Sequence, residues 1–280
     1  MVYNEPEFVP LWARYYGRQF GEENLFIIDH GSSDGSLDDV GRANVIRIPR
    51  SPKDNEKRAN AVSFQCAALL QFFDNVIQTD VDEFLLADPR KHESLAAYCA
   101  AGIEGKIVTS IGLNLVHLID EEPDLISGVP VLRQRRWAQF ISPMCKPNIV
   151  RMPVVFGTGF HGCSTPPNFS DLYMIHLRYY DKAQGLARLA RTRAMQWAFP
   201  AAGQHQRLED EKWIGVLSQH SKLLKRAALF TDAADASLSG YVDRVLKSIR
   251  KTQQGIYSPP KAQIVSGRLF YIPDVIADLF

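Results

Sequence analysis

The sequence predicts an α/β fold with a mostly parallel sheet flanked by helices, extended by mixed strands and closed by a helical C-terminal part. Three observations carry this. Short apolar runs alternate with helically spaced apolar residues through residues 1–85. Acids sit at the ends of those runs, at Asp29 and in Thr79-Asp80-Val81-Asp82-Glu83-Phe84-Leu85, and strand ends are where α/β folds bind ligands. From Lys106 onward, strand-like runs are separated by Pro and Gly turns, and beyond Tyr180 the spacing becomes helical. With 280 residues, 46% hydrophobic and 22% charged, the chain has apolar surface enough for a large core. We read residues 1–180 as the domain that carries the site and 181–280 as its mainly helical extension.

Taken in order, Val2-Tyr3-Asn4-Glu5 reads as the end of a first strand entered partway along. Phe8, Leu11, Trp12, Tyr15 and Tyr16 then mark a helix over Glu7 to Phe20, with Pro10 near its start and Gly21 as its stop. Leu25 to Asp29 is the second strand, followed by the turn residues His30-Gly31-Ser32-Ser33-Asp34-Gly35-Ser36. Val45 to Pro49 reads as a third strand and Arg50 to Asn60 as a polar loop. Val62, Cys66, Leu69, Leu70 and Phe73 put a helix over Ala59 to Phe73, which leads into a strand ending at Asp80. Lys106–Leu115, Val131–Arg133, Asn148–Arg151 and Leu172–Leu177 are strand-like. Leu186, Leu189, Arg193 and Trp197 share one helical face and Val242, Val245, Leu246 and Ile249 another, with Gly255 as a stop.

Charge and composition narrow the function. The 32 basic residues balance 31 acids to a net charge of +1, so no global field favours nucleic acid or an anionic membrane. The four cysteines lack zinc or CxxC spacing and fit free thiols in a reducing compartment. No apolar run spans a bilayer and no signal peptide is evident, which points to the cytoplasm. On a strand, Asp80 and Asp82 would share one face, and two neighbouring carboxylates call for a divalent cation. The plain alternative is a solvated acidic turn.

The run Asn4-Glu5, the helix with Trp12 and Tyr15-Tyr16, Ile27-Ile28-Asp29-His30-Gly31-Ser32-Ser33-Asp34-Gly35-Ser36, and Thr79 to Leu85 together resemble family 2-like glycosyltransferases of the GT-A fold, the Asp-x-Asp-Glu-Phe subgroup. His30 stands where that family usually has Asn. The resemblance implies a Rossmann-like GT-A domain over residues 1–180 and a soluble, metal-dependent enzyme. It would move a sugar from a nucleotide-diphosphate sugar, UDP-sugar favoured, to a glycan or other hydroxyl acceptor with inversion. It implies Mn²⁺ or Mg²⁺ held by Asp80, Asp82 and His176. Donor contacts would come from Asn4, Glu5, Asp29, Arg58, Asp80, Lys146 and His161. The base would be Asp210, from Glu209-Asp210-Glu211, or Glu83, with Asp171 as a further rival. The acids at 209–211 also suit the first turn of an exposed helix. Arg178, Arg188, Arg191 and Arg193 read most simply as a solvated helix face, otherwise as a site for an anionic acceptor. Two other classes fit the acids: a metal-dependent phosphoryl hydrolase and a non-catalytic nucleotide-sugar-binding module.

Overall fold

The computed structural model describes residues 1–201, 203–259 and 262–280, with the side chain of His205 outside that description. Helix α1 (Val9–Phe20) starts with proline in its first turn and stops at Gly21, whose φ of 85° suits glycine. Strands β1 (Phe26–Asp29) and β2 (Asn44–Arg47) pair in parallel. Helix α2 (Asn55–Leu69) begins four residues before the expected Ala59, because the Asp54 carboxylate caps it by accepting from Glu56 N–H and Lys57 N–H. Then come β3 (Val76–Ile77), β4 (Glu83–Ala87), α3 (Leu95–Ala100), β5 (Ile107–Val116), α4 (Val131–Gln134), β6 (Trp137–Phe140), β7 (Pro147–Val150) and β8 (Phe169–Tyr179). The remainder holds α5 (Lys182–Ala194), α6 (Asp210–His220), β9 (Leu224–Ala228), α7 (Asp232–Ser248), β10 (Arg250–Lys251), β11 (Tyr257–Ser258) and β12 (Arg268–Tyr271).

The mostly parallel, Rossmann-like sheet expected from the sequence is not what forms. The main sheet has eight strands in the order β3-β7-β5-β6-β12-β9, with β8 pairing both β5 and β4. Its pairs are antiparallel apart from β5 with β8 and β12 with β9. The expectation assumed that successive strands lie side by side. Instead β1 and β2 form a separate two-stranded sheet, and β3 takes its partner from β7, far along the chain. Among the described residues only Val2 pairs with β1 on its other edge; its N–H donates to Ile28 C=O and its C=O accepts from His30 N–H.

Three local readings change with it. Strand β3 ends at Ile77, and Asp80-Val81-Asp82 lead through a turn into β4, so the two aspartates share a turn and not a strand face. Val131 to Arg133 is helical, within α4. The segment after residue 180 is not only helical, since β9 and β12 complete the main sheet. The core lies between this sheet and α1: Phe84, Leu85, Leu113, Leu115 and Ile175 are fully buried. Tyr16 O–H donates to Glu83 C=O at 3.0 Å and accepts from Leu85 N–H at 2.9 Å, while Tyr15 O–H donates to Leu85 C=O. These buried bonds fix the start of β4, and with it the acidic turn, against α1.

Candidate functional site

A cleft of about 500 Å³ opens where the turn after β3, the C-terminal half of β8 and α5 converge. The turn is closed from within: Glu83 N–H donates to Asp80 C=O at 3.1 Å, and Asp80 N–H donates to the Glu83 carboxylate at 3.1 Å. Register then places His176 of β8 opposite Glu83 of β4, and Asn114 of β5 beside His176. His176 Nδ1–H donates to Asn114 Oδ1 at 2.7 Å, which turns Nε2 toward Asp82 Oδ2, 3.3 Å away.

Cations from distant parts of the chain surround these acids. Arg58 of α2 pairs with Asp80, and Lys146 reaches Asp80 at 3.1 Å and Glu83 at 2.5 Å. Arg188 of α5 pairs with Asp82 and, at 2.9 Å, with Glu5. Burial pushes the Asp80 carboxyl up, but Arg58 and Lys146 outweigh it and hold the pKa below the ordinary range. Burial acts likewise on Asp82, where Arg188 and His176 prevail and hold it well below. The balance is opposite for the glutamates: burial raises Glu83 more than Lys146 lowers it, and raises Glu5 more than Arg188 lowers it. Lys146 itself is pulled down by burial, yet Asp80 and Glu83 keep it above an ordinary lysine. Lys53, on the same wall, is pushed down to about 8, chiefly by burial, with Arg58 and Arg188 adding to it.

Of the residues named from the sequence, Glu5, Arg58, Asp80, Asp82, Glu83, Lys146, His161 and His176 all line this cleft. His161 is oriented by its Nδ1, which bonds Pro143 C=O at 2.6 Å. Four others lie elsewhere. Asn4 ties the N-terminal segment, which forms only the Val2 bridge and not the expected strand, to the turn after β1, accepting from Ser33 N–H through its side chain and donating from its own N–H to Ser32 Oγ. Asp29 is fully buried and structural, accepting from Ser32 N–H at 2.8 Å and from Arg47 Nε at 2.7 Å. Asp210 is half-exposed on the first turn of α6, paired with Arg193 at 2.8 Å. Asp171 pairs with Lys91 at 2.7 Å on the far end of β8.

Asp82, Glu83 and His176 each offer a ligand atom, all within 4.8 Å of one another. The donor set of carboxylate oxygens and an imidazole nitrogen suits Mn²⁺, and the Asn114 bond aims His176 Nε2 at Asp82. These residues fit a divalent cation once Arg188 withdraws from Asp82, since its guanidinium now supplies the positive charge there. Asp80 is less available, held between Arg58 and Lys146.

The arginines read as a solvated face are paired: Arg188 with Asp82 and Glu5, Arg191 with Glu7, Arg193 with Asp210. Arg188 was legible only as one polar residue among several on α5, because its partners lie 106 and 183 positions away. Lys53 sat in a loop with nothing to single it out. The four cysteines are free thiols, three of them buried, and no helix among the described residues is long and apolar enough to cross a membrane. Comparison with known proteins gives no match to a family model, a curated protein or a solved structure.

Proposed function

We propose that the cleft binds a nucleotide-diphosphate sugar, UDP-sugar favoured, and catalyses metal-dependent transfer of the sugar to a hydroxyl acceptor, with inversion, in the cytoplasm. The observation that carries this is the juxtaposition, in one cleft, of the Asp82–Glu83–His176 group with Arg58, Lys146, Lys53 and Arg188. Carboxylates and an imidazole suit a divalent cation, and cations beside them suit a diphosphate. Bound Mn²⁺ or Mg²⁺ would stabilise the negative charge that builds up on the leaving diphosphate. Asp82 and His176 would hold it.

Lys146 and Arg58 steady Asp80 and present positive charge to phosphate oxygens. In the reaction the acceptor oxygen forms a bond to the anomeric carbon, the sugar–phosphate bond breaks with its electron pair leaving on the diphosphate, and the acceptor proton passes to a carboxylate. Glu5 is best placed to take that proton. It lines the cleft, burial raises its pKa, and its Oε2 is buried without a hydrogen-bond partner. Glu83 is pinned by Lys146 and by Asp80 N–H, and Asp210 would have to leave Arg193 to reach the cleft.

A phosphoryl hydrolase that works through an aspartyl nucleophile would need that carboxylate free, whereas Asp80 is bound by two cations. Incubation with UDP-, GDP- and dTDP-sugars and Mn²⁺, with and without hydroxyl acceptors, should release nucleotide from at least one donor. Donor binding without release would identify a binding module, and the absence of any binding would end the nucleotide-sugar reading.

A further inference from the structure

Of the four cations that accompany the acidic group in the cleft, Lys53 is the one with no carboxylate partner among the described residues. Arg58 pairs with Asp80, Lys146 with Asp80 and Glu83, and Arg188 with Asp82 and Glu5. A mobile surface lysine would also lack a partner, but Lys53 is held. Its N–H donates to Gln196 C=O at 2.8 Å and its C=O accepts from Ala198 N–H at 3.0 Å, so the connection after α5 fixes its backbone. Its side chain is half-buried, stands 4.7 Å from the centroid of the Trp197 ring and donates to Gln206 Oε1 at 3.1 Å. An ammonium has three donors, and no other described group accepts from this one. Burial and the charges of Arg58 and Arg188 push its pKa down to about 8, with Glu5 and Asp80 offsetting only part of that. An anion beside such a group stabilises its charge.

The first turn of α2 adds donors at the same corner. Asp54 accepts from Glu56 N–H and Lys57 N–H as the cap, whereas Asn55 lines the cleft and no described group accepts from its N–H. Charge over the whole cleft points the same way. With the histidines neutral, Arg50, Lys53, Arg58, Lys146, Arg178 and Arg188 face Glu5, Asp80, Asp82 and Glu83, an excess of two positive charges. The raised pKa values of Glu5 and Glu83 can only enlarge that excess. A divalent cation adds two charges and the diphosphate of a nucleotide sugar removes two, so the excess survives donor binding. It matches the dianion of one phosphate monoester.

Resting on the transferase reading of this cleft, we propose that Lys53 and the first turn of α2 form a second oxyanion subsite, which holds a phosphate monoester carried by the acceptor. Position assigns the anion to the acceptor. Glu5, the group placed to take the acceptor proton, is among the charges that act on Lys53, while Arg58 and Lys146 present their charge at Asp80, where it suits the diphosphate. Arg188, Arg191 and Arg193 are each committed to a carboxylate, which leaves recognition of an anionic acceptor to Lys53. The phosphate takes no part in the transfer. Held at Lys53, it fixes the acceptor hydroxyl near Glu5 and favours phosphorylated acceptors over neutral ones.

The test titrates methyl phosphate into the full chain, with and without UDP and Mg²⁺, and follows binding by phosphorus NMR in the parent, Lys53→Gln and Lys53→Arg. Methyl phosphate should bind the parent alongside UDP, bind Lys53→Gln about tenfold or more weakly, and bind Lys53→Arg within about threefold of the parent. UDP affinity should be alike in all three, which also shows that the variants fold. Unchanged methyl phosphate affinity in Lys53→Gln would overturn the subsite. Displacement of UDP by methyl phosphate, or loss of UDP affinity in Lys53→Gln, would return Lys53 to the diphosphate and overturn it too. Should Lys53→Gln weaken UDP-glucuronate but not UDP-glucose, the anion belongs to the donor sugar and the acceptor assignment falls. Methyl phosphate held through Lys53 by a protein that binds no UDP would keep the subsite and end the transferase reading alone.

Discussion

Arg188 decides how the acidic turn behaves when no ligand is bound. Its guanidinium stands beside Asp82 and Glu5, so a divalent cation must displace it from Asp82. In Arg188→Met the two carboxylates lose their buried partner, which should cost about 3 kcal/mol of stability. The same loss removes the competitor, so Mn²⁺ alone should bind about tenfold more tightly and restore the melting temperature. Calorimetric titration of both proteins checks this; weaker Mn²⁺ binding in the variant would show that Arg188 supports the metal position instead of occupying it. The glutamate assignment is separable. Glu5→Gln should lower turnover about 10²- to 10⁴-fold with donor binding retained, as expected for loss of a base. Asp210→Asn should change turnover only about threefold or less on the same scale, and a large loss there would return the base to α6. Asp80 and Asp82 were visible in the sequence because they are neighbours. The cations that set their charge were not, since nothing local in α5 or in the Lys53 loop records a contact made across the fold.

The elements were legible to the degree that their signals were local. Helix α1 was fixed by apolar spacing and Gly21, whereas α2 lies four residues earlier than expected at both ends, starting at Asn55 where Asp54 provides the cap and ending at Leu69 instead of Phe73. Val131 to Arg133 misled because three residues cannot distinguish a strand from a single helical turn. Helix α5 shows what packing adds to propensity. An alanine in place of a helical glycine normally favours the helix by about 1 kcal/mol. A Cβ at Gly185, however, would meet the ring of Trp213, a residue 2% exposed that packs on Leu189 and Leu217 and lines the cleft. The displacement should cost about 1–3 kcal/mol and outweigh the gain. Gly185→Ala should therefore melt lower than the parent. Gly215→Ala in α6, where a Cβ meets nothing within 4 Å, should melt higher. Equal stabilisation in urea titrations of the two variants would mean that Trp213 does not fill the space beside α5.

At the scale of the molecule, the choice of strand partner was the part the sequence could not state. Hydrophobic runs mark strands, but β3 with β7 and β6 with β12 are pairings of edges far apart in the chain, and no residue pattern within β3 names β7. The same long-range closure buries groups that look ordinary in sequence, and it gives the whole fold a pH dependence. His220 ends α6 against Tyr179, with ring centroids 5.4 Å apart and Nδ1 buried without a partner. Burial pushes its pKa down to about 4, and burial also lowers His117, at 3% exposure. A folded pKa below the unfolded value near 6.5 means that the unfolded chain binds more protons between those limits. Stability is therefore retained above pH about 6.5 and lost as pH falls toward about 4, with His220 contributing up to about 3 kcal/mol. Glu5 and Glu83, whose pKa values are raised by burial, oppose this trend as they take up protons, while Asp80 and Asp82, held low, withdraw their support only at more acidic pH. Urea unfolding across pH 7 to 4 should show a falling midpoint for the parent and a distinctly shallower fall for His220→Leu. Parallel curves for the two proteins would place the acid sensitivity elsewhere in the fold.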